Sequence, residues 1–261
     1  MARLNSTALA LIPLAIAINI AGGQLVKALR LPIYLDSIGT VLTGVLMGPW
    51  VGLITGLLSN TIWTLSGLDT YALTFAPVAG VIGLIAGLAG RWGAFRYRSP
   101  QWLSAVIGAI FIFALTLFIF MFINATPNDD GSLAFPAAGD LFTQTGPLIA
   151  FVIALIVGGV LGYVVMRGAG YAGLAGLITG VIAAMVSAPI AAYVFGGVTG
   201  SGTDALVAAF RASGANILAS TFAQGTVSDP FDKLTSFMVV WLIVQSLPQR
   251  LLAQFGQATE K

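Results

Sequence analysis

Few residues in this chain could do chemistry, and most of them fall in its first third. Asn19, Gln24, Asp36, Asn60, Trp63, Asp69 and Tyr71 are polar or aromatic positions in and between strongly apolar runs. An unpartnered polar group in hydrocarbon is costly, so such residues turn to one another, to water or to a ligand. Amides, carboxylates and aromatic rings around an apolar pocket grip a small organic molecule by hydrogen bond, charge and stacking. The expected chemistry is therefore binding, with Asn60, Asp36 and Trp63 in front and Gln24, Asn19, Tyr71 and Asp69 behind them. Each has a plainer reading as well. Asp36 could cap a helix through the backbone N–H of Ile38 or Gly39, and Trp63 and Tyr71 could belong to an interfacial aromatic belt.

Bond-breaking chemistry has little support. The sequence has no cysteine, which excludes disulfides, thiolate metal sites and cysteine nucleophiles, and no histidine, the commonest metal ligand and general base. It has no Gly-rich phosphate loop ending in Lys-Ser or Lys-Thr. No paired carboxylates lie deep in an apolar run as an ion relay would need, and no arginine-rich span suggests a voltage sensor. The expectation is a non-enzyme with no cofactor and no metal.

The elements that must position these residues are membrane helices. Hydrophobic residues make up 58% of 261 and charged residues 8%, against about 25% charged in a soluble domain. With a mean hydropathy of +0.98, this composition predicts an all-α integral membrane protein in the lipid bilayer, a compact polytopic bundle forming one domain over 1–261. Eight apolar segments are expected, near 7–28, 36–48, 50–65, 73–91, 102–123, 146–166, 171–195 and 231–252. Net charge of +2, scattered at span ends, gives no case for nucleic acid.

The second and third segments are the most informative. Gly44, Gly48, Gly52 and Gly56 recur every fourth residue, a spacing that lets helix backbones approach closely in lipid. Pro49 cannot continue the helix before it. Two short helices should therefore turn at Gly48-Pro49, with Asp36 and Asn60 towards the opposite end. Gly-Leu-Ile-Thr-Gly occurs at 52–56 and again at 176–180, a hint of four-span halves at 1–98 and 99–261. Between 203 and 223, Leu206, Phe210, Ile217 and Leu218 predict an apolar stripe on a surface or re-entrant helix capped by Thr203. Asp229, Asp232 and Lys233 should pair or cap the start of the last span.

Charge predicts orientation. With both termini cytoplasmic, the inner segments carry Arg3, Arg91, Arg96, Arg98, Arg167, Arg250 and Lys261, and the outer ones Lys27, Arg30, Arg211 and Lys233. That is the asymmetry of the positive-inside rule. The aspartates fall on the outer side and Glu260 on the inner.

The run Leu31-Pro-Ile-Tyr-Leu-Asp-Ser-Ile-Gly-Thr40, the Gly-Pro turn and Gly52-Leu-Ile-Thr-Gly-Leu-Leu-Ser-Asn60 together resemble the substrate-specific S component of energy-coupling factor (ECF) transporters. The stretches from Ser187 to Gly202 and from Ser228 to Lys233 are similar to members of the same group. The resemblance implies a plasma-membrane protein that binds a vitamin or similar micronutrient from outside. It also implies partners: a transmembrane coupling protein and two cytoplasmic ATPases, on which the S component topples to release its substrate. Such proteins usually have six spans, against eight here. The family's Ala-xxx-Ala docking motif matches Ala17 and Ala21, while Ser6 and Ala10 sit nearer the inner end. A ligand-sensing module for a separate signalling protein and an autonomous secondary transporter are the rival readings.

Overall fold

The computed structural model describes residues 6–29, 31, 33–127, 133–134, 136, 138–212 and 214–255. Arg3, Arg30, Asp129, Asp130, Glu260 and Lys261, used above to read orientation, lie outside these residues. The described chain is almost wholly helical: α1 Ser6–Ala28, α2 Ile38–Met47, α3 Pro49–Leu65, α4 Ala76–Arg91, α5 Gln101–Ile123, α6 Ala138–Thr143, α7 Thr145–Val164, α8 Gly170–Phe195, α9 Asp204–Ala212, α10 Ile217–Ser246 and α11 Gln249–Gln254. A 3-10 turn, Ala72–Phe75, leads into α4. Five helical stretches are long and apolar enough to cross a membrane: Ala10–Ala28, Ala72–Arg91, Gln101–Ile123, Thr145–Val164 and Gly170–Phe195.

The other three expected spans are not of that kind. At 10 residues and about 1.5 Å per residue, α2 covers only about half of a hydrocarbon core. At 17 residues, α3 is shorter than the usual span. The long α10, 30 residues, carries Asp229, Asp232, Lys233 and several amides and hydroxyls. Its bounds also correct the expectation of a surface helix over 203–223. That stretch is two helices, broken where Gly214 takes a positive φ of 93°, and its second half is the first turns of α10. Pro230 lies inside α10 without ending it. The polar residues there suggested a surface helix because they were assumed to face lipid or water. Most of them face the protein interior.

Glycine decides which backbones touch. Gly48, with φ of 96°, ends α2, and Pro49 opens α3, so the chain reverses at the expected turn. The glycines on both sides of the turn pack on α4. A Cβ placed on Gly44 would lie 2.7 Å from the Gly83 carbonyl oxygen, and one on Gly52 or Gly56 would lie 2.4 Å and 2.2 Å from the carbonyls of Gly83 and Ala79. Gly108 on α5 meets Gly158 and Gly162 on α7 in the same way, and Gly176 and Gly180 on α8 meet the α10 backbone at Lys233 and Asp229-Pro230. Both Gly-Leu-Ile-Thr-Gly stretches thus serve one purpose, a helix face bare enough for a second backbone.

Two neighbours on α7 make a matched test. A Cβ on Gly158 would fall 2.4 Å from the Gly108 carbonyl, whereas one on Gly159 would meet nothing nearer than 3.9 Å. Gly158→Ala should lower the unfolding temperature in detergent, a loss of about 1–3 kcal/mol from overpacking. Gly159→Ala should leave it unchanged or slightly raised. Equal effects of the two would show that α5 and α7 do not approach this closely.

Candidate functional site

The helix ends form two distinct sets. At one end, the Arg91 guanidinium lies by Gly48, Gly170 N–H donates to Ser99 Oγ at 2.8 Å, and Gln245 donates to the Phe95 carbonyl at 2.9 Å. At the other end, the loop from 29 to 37, the turn from 66 to 75 and the loop from 196 to 203 surround a cavity of about 1160 Å³ measured out to its open mouth.

The walls of this cavity come from both ends of the sequence. Gly23, Val26 and Lys27 of α1, Asn60 and Trp63 of α3, Val78, Ala79 and Ile82 of α4 and Phe75 before it form one side. Ala183, Ser187 and Ala191 of α8, residues 199–202, and Gln224, Asp229 and Lys233 of α10 form the other. Tyr34, Asp36 and Ser37 line it from the loop between α1 and α2, and Asp69 and Tyr71 from the turn after α3.

Five of the seven expected residues are therefore together. Trp63 is 5% exposed, so it is no belt residue. Its ring edge packs on the bare backbone of Gly23, and its Nε1–H is buried with no hydrogen-bond partner among the described residues. Asn60, also buried, donates from Nδ2 to the Ala72 carbonyl at 2.9 Å and so anchors the 3-10 turn. Tyr71 rests its ring edge-on against Phe195 at 5.0 Å. Asp69 pairs with Lys27 at 3.0 Å and accepts from the Tyr71 backbone N–H.

Asn19 and Gln24 do not line the cavity. Asn19 is fully buried. Its Oδ1 accepts from Gly39 N–H at 2.7 Å, and its Nδ2 donates to Thr40 Oγ1 at 2.8 Å and Ser59 Oγ at 3.2 Å. It thus caps α2 from another helix and ties α1, α2 and α3 together. This also corrects the capping role considered for Asp36. The α2 N-cap position is Ser37, with no hydrogen bond from its side chain to the helix. Gln24 donates to the Leu68 carbonyl at 3.1 Å.

Asp36 has a different partner, Lys233 of α10. The Lys233 ammonium is 3.4 Å from Asp36 Oδ1, donates to Ser37 Oγ at 3.1 Å and pairs with Asp232 Oδ2. Asp232 Oδ1 accepts from the backbone N–H groups of Tyr34 and Leu35 at 3.1 and 2.7 Å, holding Leu35 at a positive φ of 48°. The Tyr34 hydroxyl meets Thr203 Oγ1 at 2.9 Å, and burial pushes its pKa well above the ordinary range, so the phenol stays protonated. Thr203 is occupied here, while Asp204 turns back to accept from the N–H groups of Thr199 and Gly200.

The expected pairing at Asp232 and Lys233 is present. The place of Lys233 in the cavity wall was missed, as were those of Tyr34, Ser187, Gln224 and Asp229. A signal existed. Gln224, Ser228 and Asp232 are spaced by four, as are Asp229 and Lys233, which is one polar face on a helix.

Lys233 and Lys27 make a test of what each ion pair contributes. The Lys233 side chain is 4% exposed and that of Lys27 36%. Removing one member of a buried pair leaves an uncompensated charge, at about 3–5 kcal/mol, whereas exposed pairs contribute about 0–1 kcal/mol. Lys233→Met should sharply lower the unfolding temperature in detergent and Lys27→Met should shift it little. The reverse order would remove Lys233 from its central place.

No curated protein and no solved structure matches this chain. A family does. Residues 7–130, which take in nearly all of α1 and the whole of α2 to α5, match the family model described as the ECF transporter, substrate-specific component.

Proposed function

We propose that this chain binds a vitamin or similar small organic micronutrient at the outer face of the plasma membrane and works in its uptake with a separate ATP-driven ECF module. The observation that carries this reading is the cavity itself. It has apolar and aromatic walls and a few placed polar groups, the usual make-up of a site for a small organic molecule. The match over residues 7–130 supports the same reading. Asn60, Asp36, Trp63, Asp69 and Tyr71 are the expected contacts, joined by Tyr34, Gln224, Asp229 and Lys233. Asn19 and Gln24 act behind them by holding α1 against α2 and the turn after α3.

Orientation follows from charge. Arg91, Arg96, Arg98, Arg167 and Arg250 lie at or beyond the helix ends remote from the cavity, and Lys27 and Arg211 at the cavity end. This supports an outward-facing cavity with both termini inside. For the coupling surface, Ala10, Ala17 and Ala21 lie on the exposed side of α1, and Ser6 opens the same helix. A row of small side chains lets another helix come close. The coupling protein would dock there, with the two ATPases beneath it.

Mass spectrometry of small molecules released from protein purified in mild detergent tests the binding reading. One vitamin-sized compound near one equivalent is expected, and Trp63→Leu should reduce its retention about tenfold or more, ~1.4 kcal/mol. An empty protein that a panel of vitamins also fails to stabilise against heat would overturn it. Coupling is tested separately by co-purification. Ala21→Trp should keep the compound and lose the coupling protein and ATPases, and undiminished co-purification would place the docking face elsewhere.

A further inference from the structure

The charges of the cavity do not balance among the described residues. Lys233 meets Asp36, Asp232 and Ser37 through its ammonium, and an ammonium has three protons to give. Asp69 has Lys27. Asp204 is engaged by backbone N–H groups of its own loop. Asp229 lines the same cavity and is 4% exposed. Among the described residues its oxygens are in hydrogen-bond contact only with neutral hydroxyls, Ser228 Oγ at 3.1 Å and Ser187 Oγ at 3.3 Å. Two buried carboxylates, Asp229 and Asp232, and the partly exposed Asp36 thus lie around one ammonium. A buried carboxylate without a cation is a costly arrangement that an incoming positive charge relieves.

A second, independent observation points to a ligand. The Trp63 indole lines this cavity, and its buried N–H has no partner among the described residues. A buried donor left unsatisfied typically costs about 1–3 kcal/mol, so an acceptor on a bound molecule would relieve it. The Tyr34 and Phe75 rings line the cavity too, and aromatic faces attract cations.

We infer that the cavity's ligand is an organic cation, a flat positively charged heterocycle or a protonated amine on a ring. Its charge lies against Asp229, and an acceptor atom of the same molecule takes the Trp63 N–H. This rests on the reading of the cavity as a micronutrient site and adds the charge class that the site selects.

Three molecules on one ring system separate the possibilities: 1-methylnicotinamide as cation, nicotinamide as neutral and nicotinate as anion. Binding of each to the purified chain in detergent at pH 7 is read by calorimetry, without any partner protein. The cation should bind about tenfold or more tighter than the neutral compound, the scale of one partly buried charge pair, and the anion weakest. In Asp229→Asn the ratio of cation to neutral should fall to within about twofold. A flat or inverted order in the native chain overturns the inference, as does a preference that survives in Asp229→Asn. A neutral or anionic compound released from the native protein would keep the binding reading and overturn this one. A chain that binds none of the three overturns this inference alone, and one that is also empty and unstabilised by the vitamin panel overturns both.

Discussion

The cavity depends on one buried ammonium. Lys233 stands on α10, yet its partners Asp36 and Ser37 belong to the loop that joins α1 to α2, almost 200 residues earlier in the chain. Asp232, beside it, takes two backbone N–H groups of that same loop. On α10, two longer neutral contacts, Ser37 Oγ with Ser236 Oγ at 3.3 Å and Gln224 Nε2 to the Tyr34 hydroxyl at 3.4 Å, add to this seat of the loop. Its path is also strained, since Leu35 holds a left-handed conformation that a residue with a Cβ adopts at some cost. Burying charges seldom adds net stability. What this network does add is position: the chain from Tyr34 to Ser37 has one place to lie, and in that place it lines the cavity.

The glycine contacts explain why there is a cavity at all. At the end remote from the loops, Gly44, Gly52, Gly83 and Gly87 bring α2, α3 and α4 so close that no side chain fits between their backbones. Going towards the loops along α4, the residues after contact at Gly83 are Ile82, Ala79, Val78 and then Phe75, all of which line the cavity. The backbones of α3 and α4 stay in close contact as far as Gly56 and Ala79, and Ile82, Val78 and Phe75 line the cavity together with residues of α8 and α10. A bundle tightened at one end and filled with larger residues at the other opens like a cup. Dispersion packing in lipid, with no help from water exclusion, is enough to hold the tight end.

Much of this was legible in the residues. The turn at Gly48-Pro49 follows from a proline that cannot continue a helix, and the close packing follows from glycine spacing. The gathering of Asp36, Asn60, Trp63, Asp69 and Tyr71 follows from that hairpin. What was not legible depends on distance along the chain. Asn19 reads as a polar residue in need of a ligand, but its needs are met by Gly39, Thr40 and Ser59. Only the fold can show that. Asp36 reads as a local cap because its true partner, Lys233, is 197 residues away. The first turns of α10 read as a surface helix because a helix with this many polar groups is a poor membrane span, unless those groups turn inward to a cavity that the sequence does not display.

The two sources of the cavity wall have a consequence for what the chain selects. The stretch matched to the ECF family, residues 7–130, supplies the tight end of the cup, the indole of Trp63, the Asn60 amide and the loop from Tyr34 to Ser37. Ser187, the loop at 199–202, Gln224, Asp229 and Lys233 lie beyond it. A ligand held in this space touches both sets. The first set is built on helices whose spacing is fixed by glycine, so its geometry has little room to vary. The second includes a glycine-rich loop with positive φ at Gly196, Gly197 and Gly200 and the Asp229 carboxylate, which has no ion-pair contact among the described residues. A change of side chain at Ser187, Gln224 or the loop at 199–202 alters charge and shape away from the glycine contacts that hold α8 to α10 at Lys233 and Asp229. Discrimination between one small molecule and another is therefore more readily set by α8, α10 and the loop from Gly196 to Thr203 than by the α1 to α4 scaffold, which gives the site its depth.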